Sequence, residues 1–329
     1  MKKIINQPEA VVDEMLDGLV FTHGDILKRL NGSGVMLGNQ LQKNKVGLVS
    51  GGGSGHEPAH AGFVGKGMLS AAVCGPVFTS PTPDQVLEAI QATEQGAGVF
   101  LIIKNYSGDV MNFEMAQELA EMEDIQVQTV IVDDDIAVED STYTAGKRGV
   151  AGTVLVHKIL GGAADQGASL SEIKSLADKV VPNIKTLGVA LTGATAPEVG
   201  HPGFTLAEDE LEFGVGIHGE PGYRKEKIMS SKELAKEIVG KLKAAFQWQV
   251  GDKFGLLVNG LGSTPLMEQY IFMNDVKELL AADELEISFK KVGDYMTAID
   301  MAGLSLTMVK LDEPEWLEYL NYPVQTIAW

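Results

Sequence analysis

The sequence is poor in sulfur chemistry, in positive charge and in long apolar runs. Cys74 is the single cysteine in 329 residues, so an intrachain disulfide is ruled out. It lies in the apolar run Leu69–Val77, which reads it as a buried structural thiol rather than a nucleophile. Lysine and arginine total 26 against 45 aspartates and glutamates, a formal net charge of −19. Such a surface repels nucleic acid and anionic membranes, and no basic patch laced with aromatics offsets it. No stretch approaches the roughly 20 apolar residues of a spanning helix. The N-terminus, MKKIINQPEAVVDEM, has two lysines but too short an apolar run for a signal peptide, so a cytoplasmic location is expected. No Cys/His cluster has metal-ligand spacing and no GxSxG elbow appears, so no metal is expected in this chain.

What is present is glycine and a regular alternation. There are 38 glycines, many at the ends of apparent strands, where they permit tight turns and close backbone approach to a ligand. The length predicts two domains. Helical spacing over Pro8–Thr22 is followed by a second short helix around Asp25–Leu30. Lys45–Ser50, Leu69–Val77, Gly98–Lys104 and Ile125–Val132 read as buried strands. Pro83–Thr93, with the start signal Ser80-Pro81-Thr82, and Gly108–Glu121 read as helices between them. Gly149–Gly161 and Leu170–Val181 are helical. The expectation is an α/β fold: an N-terminal domain, residues 1–184, on a parallel sheet covered on both faces.

From about residue 185 the pattern is less regular. Strands are predicted at Thr186–Leu191, Leu211–Ile217, Lys253–Asn259, Leu285–Val292 and Ser305–Lys310, with helices at Lys232–Phe246 and Leu266–Leu280. This predicts a smaller α+β domain, residues 185–329. In open α/β sheets ligands bind beyond the carboxyl ends of strands, so the loops at Gly51–His56, Lys104–Asp109 and Asp133–Asp135 should converge.

Three motifs there carry titratable groups. Gly51-Gly52-Gly53-Ser54-Gly55-His56 resembles a phosphate cradle, but no GK[ST] follows and it is not GxGxxG, so a nucleotide site is disfavoured. What it offers is backbone access beside His56, with His60 a supporting histidine one turn on. In Lys104-Asn105-Tyr106-Ser107-Gly108-Asp109 the carboxylate of Asp109 either takes a proton from a substrate hydroxyl or caps the following helix. In Gly214-Val215-Gly216-Ile217-His218-Gly219-Glu220 a histidine is read at a strand end among glycines that clear space around it. His218 is then either structural or a neutral nucleophile toward a carbonyl. Asp133-Asp134-Asp135 is read as a solvated loop, and Asn259–Pro265 as a structural turn. His23, His157 and His201 have no catalytic context.

VSGGGSGHEPAHAGFVG, VFTSPTPDQVLEAI, IIKNYSGDVMNFEMA, KRGVAGTVLVHKI, GVGIHGEPG, LVNGLGSTPLMEQYIF and DMAGLSLTMVKLD together resemble the K domain of dihydroxyacetone kinases, in order and over essentially the whole chain. The resemblance implies that His218 attacks the ketone of dihydroxyacetone and holds it as a hemiaminal. It implies that His56 assists at the substrate hydroxyl, that Asp109 is the base for the hydroxyl receiving phosphate, and that Gly53, Ser54, Gly55 and Lys104 complete the substrate site. Glycerol, lacking a carbonyl, would be excluded by chemistry. With no Walker loop, the chain resembles the separate-subunit form. There ADP and magnesium belong to a partner L subunit, which a phosphotransferase-system carrier, the M subunit, phosphorylates. A homodimer is implied as well. A reading of another class is a non-catalytic dihydroxyacetone sensor that coactivates a transcription factor. A third, an ATP-using kinase, differs only in the donor.

Overall fold

The computed structural model describes residues 2–139, 141 and 143–329. Two six-stranded sheets organise them. The first carries β1 (Leu27–Arg29), β2 (Val35–Gly38), β3 (Gly47–Ser54), β4 (Ala71–Val77), β5 (Val99–Lys104) and β6 (Val127–Val132), in the order β1-β2-β4-β3-β5-β6. Pairings β4–β3, β3–β5 and β5–β6 are parallel, as the buried apolar runs imply. The β1 and β2 edge is antiparallel, so the sheet is mixed. The short helix expected around Asp25–Leu30 is replaced by β1. The signal that decides it is Asn31-Gly32, both at positive φ (47° and 70°), which turns the chain back as a hairpin.

Helix α1 (Val11–His23) precedes this sheet. Helices α2 (Pro83–Thr93), α3 (Ser107–Glu121), α4 (Gly152–Asp165) and α5 (Leu170–Val180) cover its faces. Thr82 closes a capping box with Gln85 at the start of α2, with Pro83 at the first helical position. Helix α4 is largely apolar and buried along its length. Its first turn is fixed by Asp134, whose carboxylate accepts from the amides of Val150 (2.8 Å) and Gly152 (2.8 Å). Asp134 and Asp135 are 1% and 3% exposed, which corrects their reading as a solvated loop.

The second sheet runs β11-β10-β12-β7-β8-β9. It comprises β7 (Ile184–Ala190), β8 (Glu210–Phe213), β9 (Arg224–Lys227), β10 (Lys253–Gly260), β11 (Glu286–Gly293) and β12 (Gly303–Lys310). Only β10–β11 is parallel. Helices α6 (Ser231–Phe246) and α7 (Leu266–Ala282) pack on one face around Phe213, Leu242, Phe254 and Phe272. The other face shares a core with the first sheet and α4, in which Leu257, Phe289 and Met296 meet Leu155, Ile159 and Phe100. Helix α8 (Pro314–Asn321) leaves the second sheet and buries Trp316 and Leu320 in that common core beside α4. Beyond it, Gln325 pairs with Lys66 and Trp329 stacks on Phe289. Among the described residues no helix is long and apolar enough to cross a membrane.

Candidate active site

The glycine run after β3 is where the motifs meet. Strand β3 extends through Ser54, beyond the expected end at Ser50, because the glycines continue the pairing with β4 to a register shift after Gly53. A Cβ on Gly52 (φ 149°) would strike the Lys104 ammonium and come within 3.2 Å of Asp109 Oδ2. A Cβ on Gly55 (φ 104°) would lie 2.8 Å from the Phe78 ring and 3.1 Å from Ile299. Glycine therefore brings this backbone against the functional side chains. Phe78 and Ile299 themselves carry positive φ (53° and 56°), conformations disfavoured for bulky residues and held here by packing on both sides of Gly55. The Ser54 hydroxyl donates to the Gly75 carbonyl at 2.7 Å, so Ser54 presents its backbone to the site.

His56 and His218 come together across 162 residues of chain. Their Nε2 atoms are 3.0 Å apart. His56 Nδ1 lies 2.7 Å from the Thr297 carbonyl, and His218 Nδ1 lies 3.0 Å from Glu220 Oε1. The Phe78 ring stacks on His56 and stands edge-on to His218, and the Tyr106 ring lies 4.6 Å from His218. His218 sits in the loop after β8, not at a strand end: Gly214, at φ 77°, ends the strand, and Arg148 donates to its carbonyl at 2.6 Å. The neighbouring glycines do not clear space around the imidazole. A Cβ on Gly216 would clash with the Glu220 carboxylate, and one on Gly222 with the Phe213 carbonyl.

Asp109 lies in the first turn of α3, but its carboxylate accepts from the Ser80 hydroxyl and sits 3.7 Å from Lys104 Nζ. Lys104 is 1% exposed, donates to the Gly51 carbonyl at 3.0 Å and reaches His60 Nε2 at 2.9 Å. His60 Nδ1 in turn meets His157 Nε2 at 2.8 Å, so His157, set aside on sequence grounds, stands directly behind the site.

Burial governs the charge states. It lowers the Lys104 ammonium, while the Asp109 carboxylate beside it pulls the other way. Burial, then the Lys104 charge, holds His60 well below its ordinary value and His157 down to about 3. His56 is likewise well below, through burial, then His218 and Lys104. For Glu220 burial pushes up, but the hydrogen bond from His218 and the charges around it outweigh that and leave the carboxyl below its usual range. Ser80, Thr297, Glu220 and Arg148 are the partners that sequence reasoning missed. Ser80 was read only as a helix-start signal. Glu220, two residues from His218, was the one with a local cue.

Residues 17–328 match the Dak1 domain. The chain belongs to the Dak1 family. This Dak1 chain is 66% identical over 328 residues to the dihydroxyacetone-binding subunit DhaK of the PTS-dependent dihydroxyacetone kinase of Lactococcus lactis subsp. lactis, covering 100% of this chain and 99% of that one. It is also 47% identical to the DhaKLM operon coactivator DhaQ of the same organism, covering 99% and 100% of the two chains. Among solved structures, the dihydroxyacetone kinase of C. freundii superposes with a TM-score of 0.89 at 37% identity. That match covers 100% of the Dak1 chain described here and 60% of the longer kinase. The mixed α/β architecture and the resemblance carried by the seven motifs are thereby both shown.

Proposed function

We propose that this chain is the dihydroxyacetone-binding subunit of a phosphoenolpyruvate-dependent dihydroxyacetone kinase. The observation that carries the reading is the meeting of His218, His56 and Asp109 on one glycine-walled segment, in a chain 66% identical to a dihydroxyacetone-binding subunit. His218 adds to the ketone carbon and holds the substrate as a hemiaminal. The tether fixes the terminal hydroxyl and lowers the entropic cost of aligning it. His56 assists at the substrate oxygen, and Asp109, held by Ser80 and Lys104, accepts the proton of the hydroxyl that receives phosphate. Gly53, Ser54 and Gly55 give the substrate close backbone access. The phosphoryl group comes from a partner L subunit that carries ADP and magnesium and is recharged by an M subunit. A homodimer, residues 1–184 and 185–329 as its two domains, and a cytoplasmic location belong to the same reading.

A second reading has its own support. DhaQ, a coactivator, is 47% identical, and a solved co-activator structure superposes with a TM-score of 0.92. A sensor needs the covalent histidine but not the base. The test is phosphate transfer to dihydroxyacetone by the purified chain with an ADP-loaded L subunit and a phosphorylated M subunit. Turnover is expected, and Asp109→Asn should lower it by about 100-fold or more with substrate binding largely kept. Adduct formation without turnover would transfer the chain to the sensor reading.

A further inference from the structure

The hydrogen atoms at the His56–His218 contact do not add up with two neutral rings. The Thr297 carbonyl can only accept, so His56 Nδ1 carries a proton. The two residues before Thr297 are held by Asn259, whose side chain accepts from the amides of Tyr295 and Met296 and donates to the Met296 carbonyl. Glu220 accepts twice from His218: its Oε2 takes the backbone N–H at 3.0 Å and its Oε1 takes Nδ1 at 3.0 Å. His218 Nδ1 therefore carries a proton as well. Two neutral imidazoles locked in this way would point bare lone pairs at each other across 3.0 Å. A contact that short between ring nitrogens requires a hydrogen, so the pair holds one proton more than two neutral rings.

The surroundings decide where it rests. His56 is 0% exposed and faces the Lys104 charge, which disfavours a second charge there. His218 is in contact with the Glu220 carboxylate. Glu220 faces the Arg148 guanidinium, which pairs with Asp135 at 2.7 Å, and the Tyr106 ring stands perpendicular to the imidazole. The proton therefore sits on His218 Nε2, donated to His56 Nε2.

We propose that Glu220 is a positioning residue that keeps His218 protonated at Nδ1, and that the proton stored between the two Nε2 atoms is the one the hemiaminal oxygen takes up. This rests on the reading of His218 as the nucleophile. On substrate entry His56 accepts the proton from His218 Nε2. The freed lone pair forms the C–N bond to the ketone carbon as the carbonyl π bond breaks. The nascent alkoxide takes the proton back from His56 Nε2. No other donor is needed, and the net charge is unchanged: an imidazolium paired with Glu220 becomes an N-substituted imidazolium paired with Glu220. Gly216 belongs to the device, because any side chain there would occupy the place of the Glu220 carboxylate.

The experiment uses the full chain labelled with ¹⁵N-histidine, without ligand at neutral pH, and then dihydroxyacetone labelled with ¹³C at the carbonyl. In the wild type both nitrogens of His218 should resonate as protonated and His56 Nε2 as an unprotonated acceptor. In Glu220→Gln a single amide oxygen remains for two His218 donors; it takes the backbone N–H, which cannot change, so the amide NH2 faces Nδ1 and His218 Nδ1 should lose its proton. Hemiaminal formation, read from the ¹³C signal, should then slow by about 100-fold or more, as a wrong tautomer slows other histidine-dependent sites. Glu220→Asp, still a carboxylate, should restore part of that rate. An unprotonated His218 Nδ1 in the wild type overturns the proposal, whatever the variants do. So does a Glu220→Gln protein that forms adduct at the wild-type rate. The expected nitrogen pattern with no ¹³C change in the wild type would leave Glu220's role standing and remove the hemiaminal from the proposed function.

Discussion

Two strings of buried groups run into the same glycine segment and end in opposite ways. One passes from the Thr297 carbonyl through His56 and His218 to Glu220, and the His218 side chain keeps 16% of its surface exposed. The other passes from Asp109 and the Gly51 carbonyl through Lys104 and His60 to His157. It is sealed, and His157 Nδ1 has no hydrogen-bond partner among the described residues. In the first string the two facing Nε2 atoms can exchange a proton, and His218, in its middle, reaches solvent. In the second a proton leaving Lys104 would have nowhere to go beyond His157. The first suits proton movement during bond formation. The second suits a fixed Lys104 ammonium, oriented by neutral imidazoles, beside Asp109.

Breaking the open string should have the largest effect. His218→Ala should abolish the covalent adduct, seen by mass spectrometry as loss of the substrate increment, at least a 1,000-fold deficit by order of magnitude. Its melting temperature should change little, since the side chain is only partly buried.

The sealed string is probed next, by acid. Folded His60 and His157 resist protonation, so the unfolded chain binds those protons first. Stability is then fully present above the unfolded value near 6.5 and is lost as pH falls below it. By pH 5 the loss is about 2 kcal/mol for His157, and His60 adds to it in the same direction. Denaturant melts of wild type and His157→Gln at pH 7 and pH 5 check this; the variant should lose about 2 kcal/mol of the pH dependence, while His60 and His56 keep their share. An equal slope in both proteins would show that His157 is not the group being titrated.

Gly216→Ala should separate the strings further. The added methyl displaces the end of a side chain, not backbone, so folding should survive while Glu220 moves off His218. Adduct formation should slow by about 10-fold, with the acid melt unaltered. Ser80→Ala should give the smallest change. It removes one hydrogen bond to the Asp109 carboxylate, which Lys104 still pairs, and should reduce kcat about 5-fold with KM nearly constant.

The sequence was most legible where function is written in contiguous residues. The strands ending at Gly51–His56 and Lys104 were placed by their apolar runs, and the helix beginning beside Asp109 by its spacing. The edge of the first sheet was not, because Leu27–Arg29 is too short for a period of two to stand out from one helical turn. Helix α8 was passed over despite Pro314 at its first position. The supports of the site were harder still. Thr297 lies 241 residues from His56, and Ser80 lies 29 from Asp109, so no local spacing announces either. Asp134 and Asp135 looked like a solvated acidic cluster because their partners, the α4 amides and Arg148, arrive only through folding.

The return of α8 and the 325–329 segment to the first sheet bears on the order of biosynthesis. Trp316, Leu320 and the Gln325–Lys66 pairing complete a core begun before residue 185. During translation, strands β1 to β6 must therefore wait for the whole second sheet to emerge before their own packing is finished. A domain that usually closes on the ribosome as soon as it is made is here completed only by residues that follow the whole second sheet.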